Sequence, residues 1–128
     1  MSIFSENEIF RRAIVASIKK AIEACAPGVA CSTIDNVSQD VFRAAGYNDF
    51  LCGSRLSRGL VNCYEERLDS PNLREYNDRP LRENMVLSVE PYIIAPNIGA
   101  QRHCDMVLIT DTGHEVLSKV SNGCLMID

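Results

Sequence analysis

The run Asn84-Met85-Val86-Leu87-Ser88-Val89-Glu90-Pro91-Tyr92 constrains this chain more than any other stretch. It is largely apolar, carries one acid near its far end, and a proline follows the acid. Strand alternation puts Met85, Leu87 and Val89 on one face and Val86, Ser88 and Glu90 on the other. A carboxylate on such a strand is costly unless it meets a metal, a cation or a hydrogen-bond donor. Glu90 is therefore the first candidate for chemistry. The plainer reading is an acid paired with a nearby arginine.

The pattern around this run predicts helices first and strands after. Ser5 and Glu8 have the spacing of a capping box. Phe10, Ile14, Ile18, Ala21, Ile22 and Cys25 then recur at helical spacing until Pro27-Gly28. The spacing predicts a helix from about residue 6 to about residue 25. Ser32 and Asp35 suggest a second cap, Ile34, Val37, Val41, Phe42 and Ala45 a second stripe, and Gly46 a left-handed C-terminal stop. Phe50 to Cys52 and Gly59 to Tyr64 are short strand candidates, and Asp69 to Arg82 reads as a polar loop. Met85 to Ile94 and Asp105 to Thr110 are predicted strands. Asp111-Thr112-Gly113 is a hairpin turn into a strand over Glu115 to Leu117. Ser121 to Asp128 reads as an irregular tail. Together these predict an α+β fold with two N-terminal helices packed on a mainly antiparallel sheet.

With 128 residues, the chain suits one domain. The formal net charge of −4 gives no basic face for nucleic acid or an anionic membrane. The central arginines, such as Arg67, Arg74 and Arg79, interleave with acids and read as a solvated surface. No apolar run reaches membrane-spanning length, and the N-terminus lacks a signal-peptide pattern. The six cysteines then read as reduced thiols in a cytoplasmic protein. Cys52, Cys63, His103 and Cys104 do not have the spacing of a zinc finger or ribbon.

Several segments, taken in order, carry a resemblance. They are Ala21-Ile22-Glu23-Ala24-Cys25-Ala26-Pro27-Gly28-Val29, Ala44-Ala45-Gly46-Tyr47, and the strand Leu81 to Pro91. Arg102-His103-Cys104-Asp105-Met106-Val107-Leu108-Ile109-Thr110 and the Asp111 to Leu117 hairpin follow. This order resembles the C-terminal half of the pita-bread (peptidase M24-like) family of creatinase, prolidase, aminopeptidase P and methionine aminopeptidase. Leu81 to Pro91 resembles that family's L-x-P-G-M-V-x-S-x-E-P strand, and Arg102 to Thr110 its R-x-E-D-M-V-L-V-T strand. Residues 73–91 look most like creatinase and its close relatives. Residues 1–128 would form a single domain equivalent to the C-terminal half of the catalytic domain.

For chemistry, the resemblance implies mostly losses. Peptidases of the family hold two metal ions with two aspartates, one histidine and two glutamates. The aspartates belong to strands upstream of the matched region. The histidine falls on Leu56, in Leu56-Ser57-Arg58-Gly59, and a second, substrate-contacting histidine on Cys63. The first glutamate is Glu90, and the last falls on Cys104. One ligand position of five survives. Creatinase works without metal, but its acid–base histidine also falls on Leu56. Arg58 could place a cation where the family holds metal, to bind an anion or satisfy Glu90. Cys63 and Cys104 lack an evident histidine base, and a buried thiol is inert. Alternation turns His103 to the face opposite Cys104, and His114 is expected to be exposed beside its turn.

The resulting expectation is a degenerate, non-catalytic binding or assembly module without cofactor. Its partners would be a second copy, as a homodimer, or a complementary N-terminal half. The alternative is a subunit or fragment of a creatinase-like or Xaa-Pro peptidase-like hydrolase. That hydrolase would cleave C–N bonds once joined to an N-terminal half, with divalent metal only if that half completes the site. A third expectation is a stable piece of a larger gene product.

Overall fold

A computed structural model describes residues 3–48 and 72–119. The strand candidates at Phe50 to Cys52 and Gly59 to Tyr64, the positions Leu56, Arg58 and Cys63, and the Ser121 to Asp128 tail lie outside the described residues.

Two helices come first, α1 over Ile3–Ala24 and α2 over Cys31–Ala44. Five strands follow: β1 Val86–Val89, β2 Tyr92–Ala95, β3 Gly99–Arg102, β4 Asp105–Ile109 and β5 His114–Val116. They form two antiparallel sheets, β1-β4-β5 and β2-β3. The chain is therefore α+β, with helices packed on antiparallel sheets.

Both apolar faces anticipated from spacing meet in the core. Ile18, Ala21 and Ile22 of α1 and Ile34 of α2 pack with Leu87, Val89, Val107 and Ile109, all buried, and Met85 packs against them. Farther toward the N-terminus of α1, Phe10, Ala13 and Ile14 meet Phe42, Tyr47, Ile93 and Ala95. Phe10 and Tyr47 cross edge to face, with ring centroids 5.2 Å apart. Helix α2 ends as its sequence predicts. Gly46 has φ of 86°, its N–H bonds to the Arg43 carbonyl at 3.1 Å, and the Tyr47 N–H to the Phe42 carbonyl at 2.9 Å. Those two bonds make a complete Schellman motif.

The helix starts depart from expectation. Helix α1 begins at Ile3, so Ser5 lies inside it, and Glu8 instead pairs with Arg11 and Arg12. In α2 the N-cap is Ala30, with no side-chain cap. The polar loop supplies the missing acceptors. The Cys31 N–H bonds to the Arg79 carbonyl at 3.0 Å and the Ser32 N–H to the Asn77 carbonyl at 2.8 Å. The Ser32 hydroxyl donates to Asp78 Oδ1 at 2.6 Å. Gly28 and Val29 meanwhile pair with Leu81, through N–H···O bonds of 2.9 and 2.8 Å.

The buried face of α2 is also more polar than its apolar stripe. Val37 and Val41 are half-buried and Ala45 exposed, while Asp35, Ser38 and Gln39 are buried beside Ile34 and Phe42. Ser38 meets Ser17 of α1, hydroxyl to hydroxyl, at 2.6 Å. Asp35 accepts from Gln39 Nε2 at 2.7 Å. Burial pushes its carboxyl from 3.8 up to about 6, against the pull of Gln39, Arg74 and the Glu75 backbone N–H.

That shift makes a stability prediction. Below pH 3.8 Asp35 is protonated in both folded and unfolded chains, so it adds no penalty. As pH climbs to about 6, the unfolded chain gives up its proton first and folding weakens by about 2–3 kcal/mol. Glu8 acts oppositely and mostly lower. Its hydrogen bonds to Arg11 and Arg12 hold it near 2, so its stabilisation fades as pH falls from 4.5 toward 2. Urea unfolding of wild type and Asp35→Asn should therefore diverge from pH 4 to pH 7 by about 2–3 kcal/mol in favour of the variant. Parallel curves would show that Asp35 titrates normally in the folded protein.

Candidate functional site

Strand β1 presents Leu87 and Val89 to the helices, so its other face carries Val86 and Ser88. The ladder ends at Val89, because the proline at position 91 has no N–H to donate. The predicted single strand over Met85 to Ile94 is thus two strands in two sheets, with Glu90-Pro91 as the corner. Strand β3 returns from the β2 turn, where Asn97 takes φ of 65°, and brings Arg102 back beside that corner. The β3–β4 link then carries Cys104 past Ser88.

Four side chains converge there. Ser88 Oγ donates to Glu90 Oε1 at 2.5 Å. Cys104 Sγ lies 3.1 Å from Ser88 Oγ and 3.4 Å from Glu90 Oε1. Arg102 Nη1 stands 3.5 Å from Glu90 Oε2. Ser88 and Glu90 are only 8% and 6% exposed. Ser88 has one proton and spends it on the shorter bond to the carboxylate, so the thiol hydrogen points between Ser88 and Glu90. Burial raises the Cys104 thiol above its ordinary value. Ser88 lowers it, Glu90 raises it further, and Arg102 lowers it. The thiol is a hydrogen-bond donor, although Cys104 as a residue is exposed rather than buried.

The two histidines take different places. His103 lies across from Cys104 as alternation requires, with Nε2 3.7 Å from buried Asp105 Oδ2. His114 is half-buried, which corrects the exposed position expected beside its turn. Its Nδ1 is 2.9 Å from the Cys25 carbonyl. A carbonyl only accepts, so Nδ1 carries the hydrogen and ties β5 to the end of α1.

The resemblance gives Glu90 and Cys104 each a ligand position, and the sequence anticipates an arginine for Glu90, which the structure supplies as Arg102. Sequence reasoning did not identify Arg102, because strand β3 was not foreseen. The signal was the positive-φ candidate Asn97 between two short segments.

A model of metallopeptidase family M24 matches residues 4–111. The chain belongs to this family. It is 32% identical over 120 residues to an Xaa-Pro dipeptidase of Pyrococcus furiosus, covering 94% of this chain and 33% of that protein. An Xaa-Pro dipeptidase of Pyrococcus horikoshii is 32% identical over 114 residues, covering 89% and 31%. The prolidase structure from Pyrococcus furiosus superposes with a TM-score of 0.75 at 29% identity, over 91% of this chain and 33% of that one. An Xaa-Pro dipeptidase from Bacillus anthracis reaches a TM-score of 0.80 at 22% identity, over 96% and 33%, which speaks to fold alone. The chain thus spans about a third of the length of its relatives.

The family name raises the question of metal. Hard divalent ions favour carboxylate oxygens. This corner offers one carboxylate, one protonated thiol and a guanidinium beside the carboxylate. Among the described residues, no group of three or more His, Cys, Asp or Glu is placed to hold an ion. The donor set present does not fit a pair of hard metals.

The geometry ranks the partners of Glu90. The Ser88 bond is short and buried, while Arg102 is 60% exposed and longer. Ser88→Ala should cost about 1.5–3 kcal/mol in denaturant unfolding, and Arg102→Gln less than about 1 kcal/mol. The reverse order would make Arg102 the principal partner.

Proposed function

We propose that this chain is the C-terminal part of a hydrolase of the Xaa-Pro peptidase type, cleaving C–N bonds only when joined to an upstream half. One observation carries this reading. Cys104 Sγ comes within 3.4 Å of Glu90 Oε1, and the resemblance aligns these two residues with the family's two glutamates. The 32% identity to Xaa-Pro dipeptidases over most of the chain supports the same substrate class. So does the surface around the corner. Val86, Met106 and Leu117 are exposed on the same side as Ser88 and suit cover by the missing part. In this reading Glu90 is a substrate-binding acid, reached at Oε2, where exposed Arg102 stands 3.5 Å away. The free thiols of Cys25, Cys31 and Cys104 support a reducing, cytoplasmic setting.

A second reading is a non-catalytic binding or assembly module. Its specific support is that Ser88, Arg102 and Cys104 already occupy Glu90. A second copy would then cover the apolar face as a homodimer.

Joining the chain to the part of the Pyrococcus furiosus dipeptidase upstream of the matched third separates the two readings. Xaa-Pro dipeptide hydrolysis by that fusion is expected on the first reading. Activity confined to a fusion carrying Leu56→His and Cys104→Glu would select the second. If the double variant gains neither divalent-metal binding nor hydrolysis, the register placing Leu56 and Cys104 at ligand positions is wrong.

A further inference from the structure

Glu90 sits at the corner where the chain leaves one sheet for the other. The groups around it come from three successive pieces of structure. Ser88 belongs to β1, Arg102 to the end of β3, and Cys104 to the link into β4. Beside them the His103 N–H donates to the Pro91 carbonyl at 3.2 Å. Each of these contacts crosses the gap between the two sheets or stiffens one side of it.

We infer that Glu90 in this chain is a metal-independent clamp that fastens the β1–β2 corner to the β3–β4 link. Both carboxylate oxygens are engaged, Oε1 by Ser88 and Cys104 and Oε2 by Arg102. A guanidinium already 3.5 Å away supplies the positive charge that the carboxylate requires. It also repels a second cation. Asp105 cannot lend another oxygen, because it faces His103 on the opposite side of the strand. Two hydrogen bonds and one ion pair hold the corner to the link. The inference rests on the surroundings of Glu90 and not on the hydrolase reading.

Thermal unfolding of the full chain, run once with EDTA and once with Mn2+, tests it. Wild type should melt at the same temperature in both. Glu90→Gln should melt about 5 °C lower in both, the shift that a lost charge-assisted bond gives a domain of this size. Cys104→Glu places a second carboxylate against the first. It should melt below wild type in EDTA and recover with Mn2+. The inference is overturned if Mn2+ raises the melting point of wild type and Glu90→Gln abolishes that rise. It is equally overturned if Glu90→Gln melts like wild type, or if a folded Cys104→Glu melts like wild type in EDTA. Should Cys104→Glu fail to fold, the Glu90→Gln comparison decides alone. Mn2+ stabilisation of wild type would leave the hydrolase reading untouched, and an inactive fusion would leave the clamp untouched.

Discussion

The seam between α1 and the inner face of β1 and β4 governs the rest of the structure. Ile18, Ala21 and Ile22 close on Leu87, Val89, Val107 and Ile109 with almost no exposed surface. Each of these side chains except Ala21 contributes roughly 1.5–3 kcal/mol on burial. No rearrangement of one polar corner competes with four of them. A one-residue slip of β1 would turn Leu87 and Val89 to the wrong side. The seam therefore fixes the register Leu87 to Val107, and that register alone places Ser88 opposite Met106. Glu90 and Cys104 become neighbours as a consequence of hydrophobic packing two residues away.

Seen this way, the polar corner is what the seam leaves over. The buried acid must find partners within reach, and the partners it finds decide the chemistry. A glutamate at 104 would set two carboxylates face to face, an arrangement that calls for cations. A thiol at 104 removes that demand, because it donates a hydrogen instead of adding a charge. One side chain thus changes what the corner asks for without disturbing the fold beneath it.

How much of this the sequence revealed depends on where the deciding partner sits. Alternation along Met85 to Val89 and the helical spacing of Phe10 to Ile22 identify the core, since each is a local pattern tied to one dominant force. Gly46 marks the end of α2 because a left-handed residue is a local requirement. The start of α2 was misread for the opposite reason. Its acceptors are carbonyls of Asn77 and Arg79, more than forty residues downstream, and no local pattern announces them. Ser32 and Asp35, freed from capping, turn to Asp78 and Gln39. Strand β3 escaped notice because Gly99-Ala100-Gln101-Arg102 has almost no apolar pattern, being exposed or half-buried throughout. With β3 unseen, Arg102 could not be matched to Glu90.

Asn84 shows how far fold and chemistry have separated. In the motif this strand resembles, a Pro-Gly pair stands where this chain has Glu83-Asn84. Asn84 nonetheless adopts φ of 67°, and its N–H bonds to the Ile109 carbonyl at 2.8 Å. Asparagine is the residue besides glycine that enters the left-handed region most readily. The backbone requirement at the head of β1 has thus been met by the next best residue, because the seam cannot form without that turn. At position 104, where the resemblance implies a glutamate, an exposed cysteine carries no charge. The backbone demand of the turn and the donor chemistry at position 104 are different physical constraints. A strand can keep the first while losing the second, which is why membership of this family specifies the shape of the corner and leaves its chemistry to be read from the side chains themselves.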